Sequence, residues 1–213
     1  MNVKQFRQLP IMGILRGIKS EQLGPLVDAI IASGLKTVEV TMNTPDASHL
    51  IREMVVLSRG QLTVGAGTVL CLDDLNSAIA SGATFIVSPV CIPEVIQQCT
   101  REGIAVFPGA LTPQEIYLAW QSGATMVKVF PSKFFGPDYF TEIKAPLAEI
   151  QLMACGGVTA DNMTEFFKKG ASAVSFGASI FKREWLQRKE FGNIQSSIEA
   201  LIRTYKGFCG GLE

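Results

Sequence analysis

Gln121-Ser122-Gly123-Ala124-Thr125-Met126-Val127-Lys128-Val129-Phe130 passes from the end of one helix, through a glycine, into a strand. Glycine is favoured just past a helix C-terminus because it adopts the left-handed conformation without a Cβ clash. The aliphatic run after it is near-continuous, as expected of a parallel strand buried on both faces. The phrase recurs in both directions along the chain, at Ala32-Ser33-Gly34-Leu35, Ala80-Ser81-Gly82-Ala83, Arg101-Glu102-Gly103-Ile104 and Lys168-Lys169-Gly170-Ala171. Successive steps lie roughly twenty residues apart, or about twice that, which matches one or two strand-plus-helix units.

Strands are expected at Ile11–Leu15, Thr37–Thr41, Leu62–Gly65, Thr84–Val87, Ile104–Phe107, Thr125–Phe130, Ile150–Ala154 and Ala173–Phe176. Helical stretches include Ser20–Ser33, Pro45–Ser58, Pro93–Glu102, Pro113–Ser122 and Ala160–Lys169, three of them opening on a proline suited to a first helical turn. Eight strands alternating with helices argue for an α/β fold closed as a (β/α)8 TIM barrel rather than for an open sheet. The chain has 213 residues, enough for one such barrel, and no Gly/Ser-rich linker or charge run divides it. One domain over residues 1–213 is expected.

Composition narrows the function classes. Hydrophobic residues make up 47% and charged residues 18%, which suits a soluble protein with a sizeable core. The 19 basic and 19 acidic side chains cancel, and no basic stripe with interleaved aromatics is present, so no nucleic-acid partner is expected. No stretch of about 18 apolar residues exists, so no membrane partner is expected either. The start, Met1 to Arg7, lacks the apolar core of a secretory signal. The five cysteines are odd in number and form no CxxC pair. They fit neither a disulfide framework nor a zinc cluster, and point to reduced thiols in a cytoplasmic protein.

Active sites of α/β barrels lie at the C-terminal ends of the strands, so polar residues there carry the search. Lys128 interrupts an apolar run where desolvation of an ammonium is costly. Alternation along the strand turns Val127 and Val129 to the helices, and Met126, Lys128 and Phe130 to the barrel axis. An amine withdrawn from water loses basicity, which is what a Schiff-base nucleophile requires. The alternative is a structural lysine paired with an interior carboxylate. Glu39, embedded in Val38-Glu39-Val40-Thr41, is either a proton-shuttling acid/base or that partner. Arg16 ends the first strand, where it could bind a carboxylate or phosphate, or stand solvated.

Gly65-Ala66-Gly67-Thr68 follows the third strand, and its small residues would let backbone amides approach an anion; it is also simply a tight loop. Gly156-Gly157-Val158-Thr159 and Phe176-Gly177-Ala178-Ser179 follow the seventh and eighth strands, where barrel phosphate sites are often built. His49, the only histidine, falls on a predicted helix surface, which disfavours a His-based triad and a multi-histidine metal site. Neither Asp73-Asp74 nor Asp161 falls at a strand's C-terminal end. Lysine chemistry without metal or cofactor is the expectation.

Taken in order, Ile14-Leu15-Arg16, Val38-Glu39-Val40-Thr41, Gly65-Ala66-Gly67-Thr68-Val69, Ile86-Val87-Ser88-Pro89, Phe107-Pro108-Gly109, Val127-Lys128-Val129-Phe130-Pro131, Phe135-Gly136-Pro137 and Gly156-Gly157-Val158 form a specific set. With them the chain, from Ile11 to Tyr205, resembles the 2-keto-3-deoxy-6-phosphogluconate / 4-hydroxy-2-oxoglutarate aldolase family. The resemblance implies a class I aldolase, trimeric in most members, that cleaves a phosphorylated 2-keto-3-deoxy sugar acid to pyruvate and glyceraldehyde 3-phosphate. It implies the Schiff base at Lys128, the proton shuttle at Glu39 and Thr68 near the pyruvate carboxylate. It further implies Pro89 and Phe130 lining the pocket, and the phosphate around Gly156, Gly157, Gly177 and Ser179. Asn43 stands where many gluconate-type members carry arginine, and Met42-Asn43-Thr44-Pro45 is similar to the phosphogalactonate branch, as is Phe135 to Tyr139. Carboxylate binding would then rest on Arg16, Thr68 and loop amides. Cys155 stands where many relatives have threonine. The rival readings are a phosphate-binding barrel isomerase or epimerase without a Schiff base, and a non-catalytic trimeric barrel.

Overall fold

Each glycine that closes a periodic stretch turns the chain back into a strand: Gly34, Gly82, Gly103, Gly123 and Gly170 all carry positive φ, between 67° and 104°. The computed structural model describes residues 1–211, so residues 212 and 213 of the expected domain lie outside the described residues. The strands are β1 (Ile11–Leu15), β2 (Thr37–Thr41), β3 (Thr63–Gly67), β4 (Phe85–Val87), β5 (Ala105–Phe107), β6 (Gly109–Ala110), β7 (Val127–Val129), β8 (Leu152–Cys155) and β9 (Ala173–Phe176). All pair in parallel, in the order β5-β4-β3-β2-β1-β9-β8-β7-β6.

The two ends of that order are halves of one barrel position. Pro108 directly follows the fifth expected strand, and β5 pairs with β4 while an additional strand, β6, immediately after the proline, pairs with β7. The Pro108 carbonyl still accepts from the Lys128 N–H at 2.8 Å. A proline cannot donate to a ladder, which explains the interruption. The result is a nearly closed (β/α)8-type barrel.

Around it lie α1 (Val3–Phe6), α2 (Ser20–Ala32), α3 (Ala47–Ser58), α4 (Leu72–Ala80), α5 (Pro93–Arg101), α6 (Pro113–Gln121), α7 (Asp138–Lys144), α8 (Met163–Lys168), α9 (Arg183–Gln187) and α10 (Phe191–Gly210). Helix α6 opens on Thr112 with a reciprocal cap: the Glu115 N–H donates to Thr112 Oγ1 at 3.3 Å and the Thr112 N–H donates to Glu115 Oε2 at 2.8 Å. The expected proline start of α3 is not observed. Asp46 precedes the helix with φ of 57°, leaving Pro45 in the loop. None of the described helices is long and apolar enough to cross a membrane.

Two apolar clusters result from strand alternation. Val127 and Val129 belong to the larger one between strands and helices, while Met126 joins the smaller one with Met12, Phe85, Phe107 and Met153. Phe6 of α1 closes that inner cluster at the N-terminal end of the strands, its ring edge-on to Phe107 with centroids 5.8 Å apart. This leaves the C-terminal strand ends as the only end of the barrel that its own first helix does not fill.

Candidate active site

Lys128 sits on β7 between two fully buried valines and is itself only 5% exposed. The strand is apolar because both its faces are covered, so the lysine has no route to bulk water except along the barrel axis. Its Nζ lies 5.2 Å from the centre of the Phe130 ring. Across the barrel Glu39 of β2 is 1% exposed. Burial pushes the Glu39 carboxyl above the ordinary carboxylate range, and the nearby charges of Lys128 and Arg16 pull it partly back.

The pair does not close into a salt bridge. Neither residue takes part in an ion pair among the described residues, and Glu39 Oε2 has no hydrogen-bond partner. A buried unpaired charge costs several kcal/mol, a large share of a total folding stability of about 5–15 kcal/mol. A purely structural lysine and glutamate would relieve that cost by meeting. A buried carboxyl raised by desolvation and left unpaired is a candidate functional group.

The glycines of β3 act differently from the loop expected of them. Gly65 and Gly67 lie within the strand. A Cβ on Gly65 would strike the Phe85 ring, and one on Gly67 would come within 2.6 Å of Glu39 Cδ. Their smallness makes room for side chains rather than bringing amides to a ligand. Thr68, just beyond, holds φ of 56°, an unusual conformation for a β-branched residue. Its Oγ1 accepts from Arg16 Nη2 at 3.4 Å, which joins the ends of β1 and β3.

Of the two later turns, the one after β8 needs glycine conformationally, whereas Gly177 does not hold a positive φ. Gly156 and Gly157 carry φ of 96° and 78°. Ser132, in the 3-10 turn Ser132–Phe134, ties the end of β7 to that of β8: its Oγ donates to the Val129 carbonyl at 2.7 Å and accepts the Cys155 N–H at 3.0 Å. Ser179 Oγ donates to the Val158 carbonyl at 3.0 Å, so the third loop is fastened to the second.

These loops enclose a cavity of about 550 Å³ that gathers Lys128, Arg16, Pro89, Phe130, Gly156, Gly157, Gly177 and Ser179. Glu39 and Thr68 do not line it. They adjoin it, Glu39 through the charges of Lys128 and Arg16 and Thr68 through its hydrogen bond to Arg16. Asn43 is exposed in the loop after β2, and His49 is exposed on α3 with Nε2 3.6 Å from Glu53. A neighbouring cavity of about 650 Å³ shares Ile14, Arg16 and Ala178, but its lysines, Lys19 and Lys189, are exposed. The buried lysine belongs to the smaller cavity.

Lys133 and Phe134 also line the 550 Å³ cavity and did not stand out in the sequence. Their signal was present: they occupy the loop leaving the C-terminal end of the Lys128 strand, where barrel active sites are built. Among the described residues no group of three or more His, Cys, Asp or Glu is placed to hold a metal ion.

Over residues 3–197 the chain matches the family model for KDPG and KHG aldolase. It is 34% identical over 176 residues to the 2-dehydro-3-deoxy-6-phosphogalactonate aldolase of Escherichia coli (strain K12), covering 82% of this chain and 86% of that one. It is 30% identical over 203 residues to the probable 2-dehydro-3-deoxy-6-phosphogalactonate aldolase of Rhizobium meliloti (strain 1021), covering 95% of this chain and 94% of that one. Among solved structures, the one named "Native KDPGal structure" superposes with a TM-score of 0.89 at 30% identity, over 95% of this chain and 97% of the other.

Proposed function

The chain belongs to the KDPG and KHG aldolase family, and from that premise we propose that it is a metal-independent class I aldolase with its Schiff base on Lys128. Its substrate is a 2-keto-3-deoxy-6-phospho sugar acid of gluconate or galactonate configuration. Asn43 and the two relatives named above support the galactonate form. The observation that carries the reading is a buried lysine in a cavity rimmed by two glycine turns, with a buried, unpaired carboxyl across the barrel from it.

In this mechanism the unprotonated Lys128 amine attacks the C2 ketone, and loss of water gives a protonated imine. Glu39, through a water, takes the C4 hydroxyl proton; the C3–C4 bond breaks and its electron pair moves into the imine to form an enamine. Glyceraldehyde 3-phosphate leaves, Glu39 returns a proton to C3, and hydrolysis of the imine frees pyruvate and Lys128. A carboxyl raised by burial is suited to hold and release a proton within one turnover. Arg16 and Thr68 take the substrate carboxylate, Pro89 and Phe130 form the apolar walls, and the phosphate rests at Gly156, Gly157, Gly177 and Ser179. A phosphorylated substrate does not cross membranes freely, which supports a cytoplasmic site of action.

Reduction with borohydride in the presence of pyruvate, followed by peptide mass spectrometry, tests the assignment. The expected result is one reduced adduct, on Lys128, that Lys128→Ala abolishes. No adduct on folded protein in excess pyruvate overturns the Schiff-base reading.

A further inference from the structure

We propose that Lys133 is the side-chain cation that binds the substrate's terminal phosphate, a role that rests on the reading of the cavity as a phospho-sugar-acid site. Lys133 is one of three cationic side chains on the cavity wall, with Lys128 and Arg16. The other two are committed elsewhere. Lys128 becomes the imine, and Arg16 donates to Thr68 at the end of β3. Backbone amides and a Ser179 hydroxyl already donating to the Val158 carbonyl would otherwise face a phosphate dianion without a full positive charge.

The position of Lys133 fits the task. A Cβ on Gly157 would fall 2.7 Å from Lys133 Cβ, so the lysine stem lies directly against the glycine turn. The backbone there is anchored, because Ser132, its neighbour, bonds to both the end of β7 and the end of β8. The ammonium has no carboxylate partner among the described residues; it rests 4.9 Å from the centre of the Phe134 ring, which is 71% exposed. A cation on an exposed aromatic face is weakly held. A phosphate at Gly157 offers it a charge-assisted hydrogen bond instead, and the flexible stem lets it swing to that anion.

The reading separates two lysines five residues apart by duty, the buried one for carbon chemistry and the exposed one for the anion. Removal of Lys133 therefore weakens phosphate affinity and leaves imine formation intact. The test measures inorganic phosphate binding by titration calorimetry, and pyruvate trapping by borohydride, on the parent protein, Lys133→Met and Lys133→Arg. Lys133→Met keeps an apolar stem at an exposed position, so the fold should survive; circular dichroism checks it. The expected result is a loss of phosphate affinity of roughly 10- to 100-fold in Lys133→Met, the worth of a hydrogen bond to a charged group. Lys133→Arg should recover most of it, and all three proteins should trap pyruvate equally. Equal phosphate affinity in parent and Lys133→Met, or no phosphate binding by the parent, overturns the proposal. Lys133-dependent phosphate binding without any pyruvate adduct upholds the anion site and removes the Schiff-base reading instead.

Discussion

Glu39 is held within β2 with one carboxylate oxygen unsatisfied, and its carboxyl is raised by burial. The folded state therefore keeps this proton more tightly than the unfolded chain. Ionisation of Glu39 costs stability, a cost absent below the unfolded value of about 4.3 and growing as pH rises towards the folded one. Glu39→Gln should accordingly be more stable than the parent at neutral pH, with the gap narrowing on acidification; urea denaturation at several pH values checks this. The same substitution should lower kcat by about 10²–10⁴-fold while pyruvate is still trapped on Lys128. A kcat near the parent's would remove Glu39 from proton transfer. Both residues were legible in the sequence, because a charge inside an otherwise apolar run is conspicuous. Lys133 was not, because a lysine in a loop looks like any solvated lysine until Gly157 is seen against its stem.

At the level of elements, β3 shows where sequence reading stops. Its Gly-Ala-Gly pattern reads as an anion-approaching or simply tight loop, and only the packing of Phe85 and Glu39 reveals a strand emptied to admit neighbours. Gly67→Ala should destabilise by about 1–3 kcal/mol through overpacking and also depress kcat, since the added methyl displaces the Glu39 carboxyl. Thermal unfolding together with steady-state kinetics measures both. Stability lost with kcat intact would show that Glu39 can be moved without consequence. Strand positions were readable where a glycine with positive φ precedes an aliphatic run, as at Gly34 and Gly170. The start of α3 was misplaced because proline is equally at home in a loop and in a first helical turn, and Asp46 rather than Pro45 makes the bend. The short strand β6 escaped because Gly109 and Ala110, directly after a proline, are too few and too small to read as an apolar run.

For the whole molecule, the barrel's outer surface points to self-association. Leu70, Val90, Phe134 and Phe135, on loops after β3, β4 and β7, are all about half exposed or more, as are Tyr117 and Leu118 of α6 at slightly lower values. Contiguous exposed apolar surface marks protein interfaces. We propose a homotrimer, as the family resemblance implied. Sedimentation equilibrium should return three times the 23.0 kDa chain mass, and a monomer at all concentrations would exclude it. The barrel is also blind at one end, because Phe6 stoppers the floor, and the cavity that holds Lys128 lies among the loops of the other end. On the proposed mechanism products must then queue: the phosphorylated aldehyde departs first, and pyruvate, still tethered to Lys128, waits for the water that hydrolyses its imine.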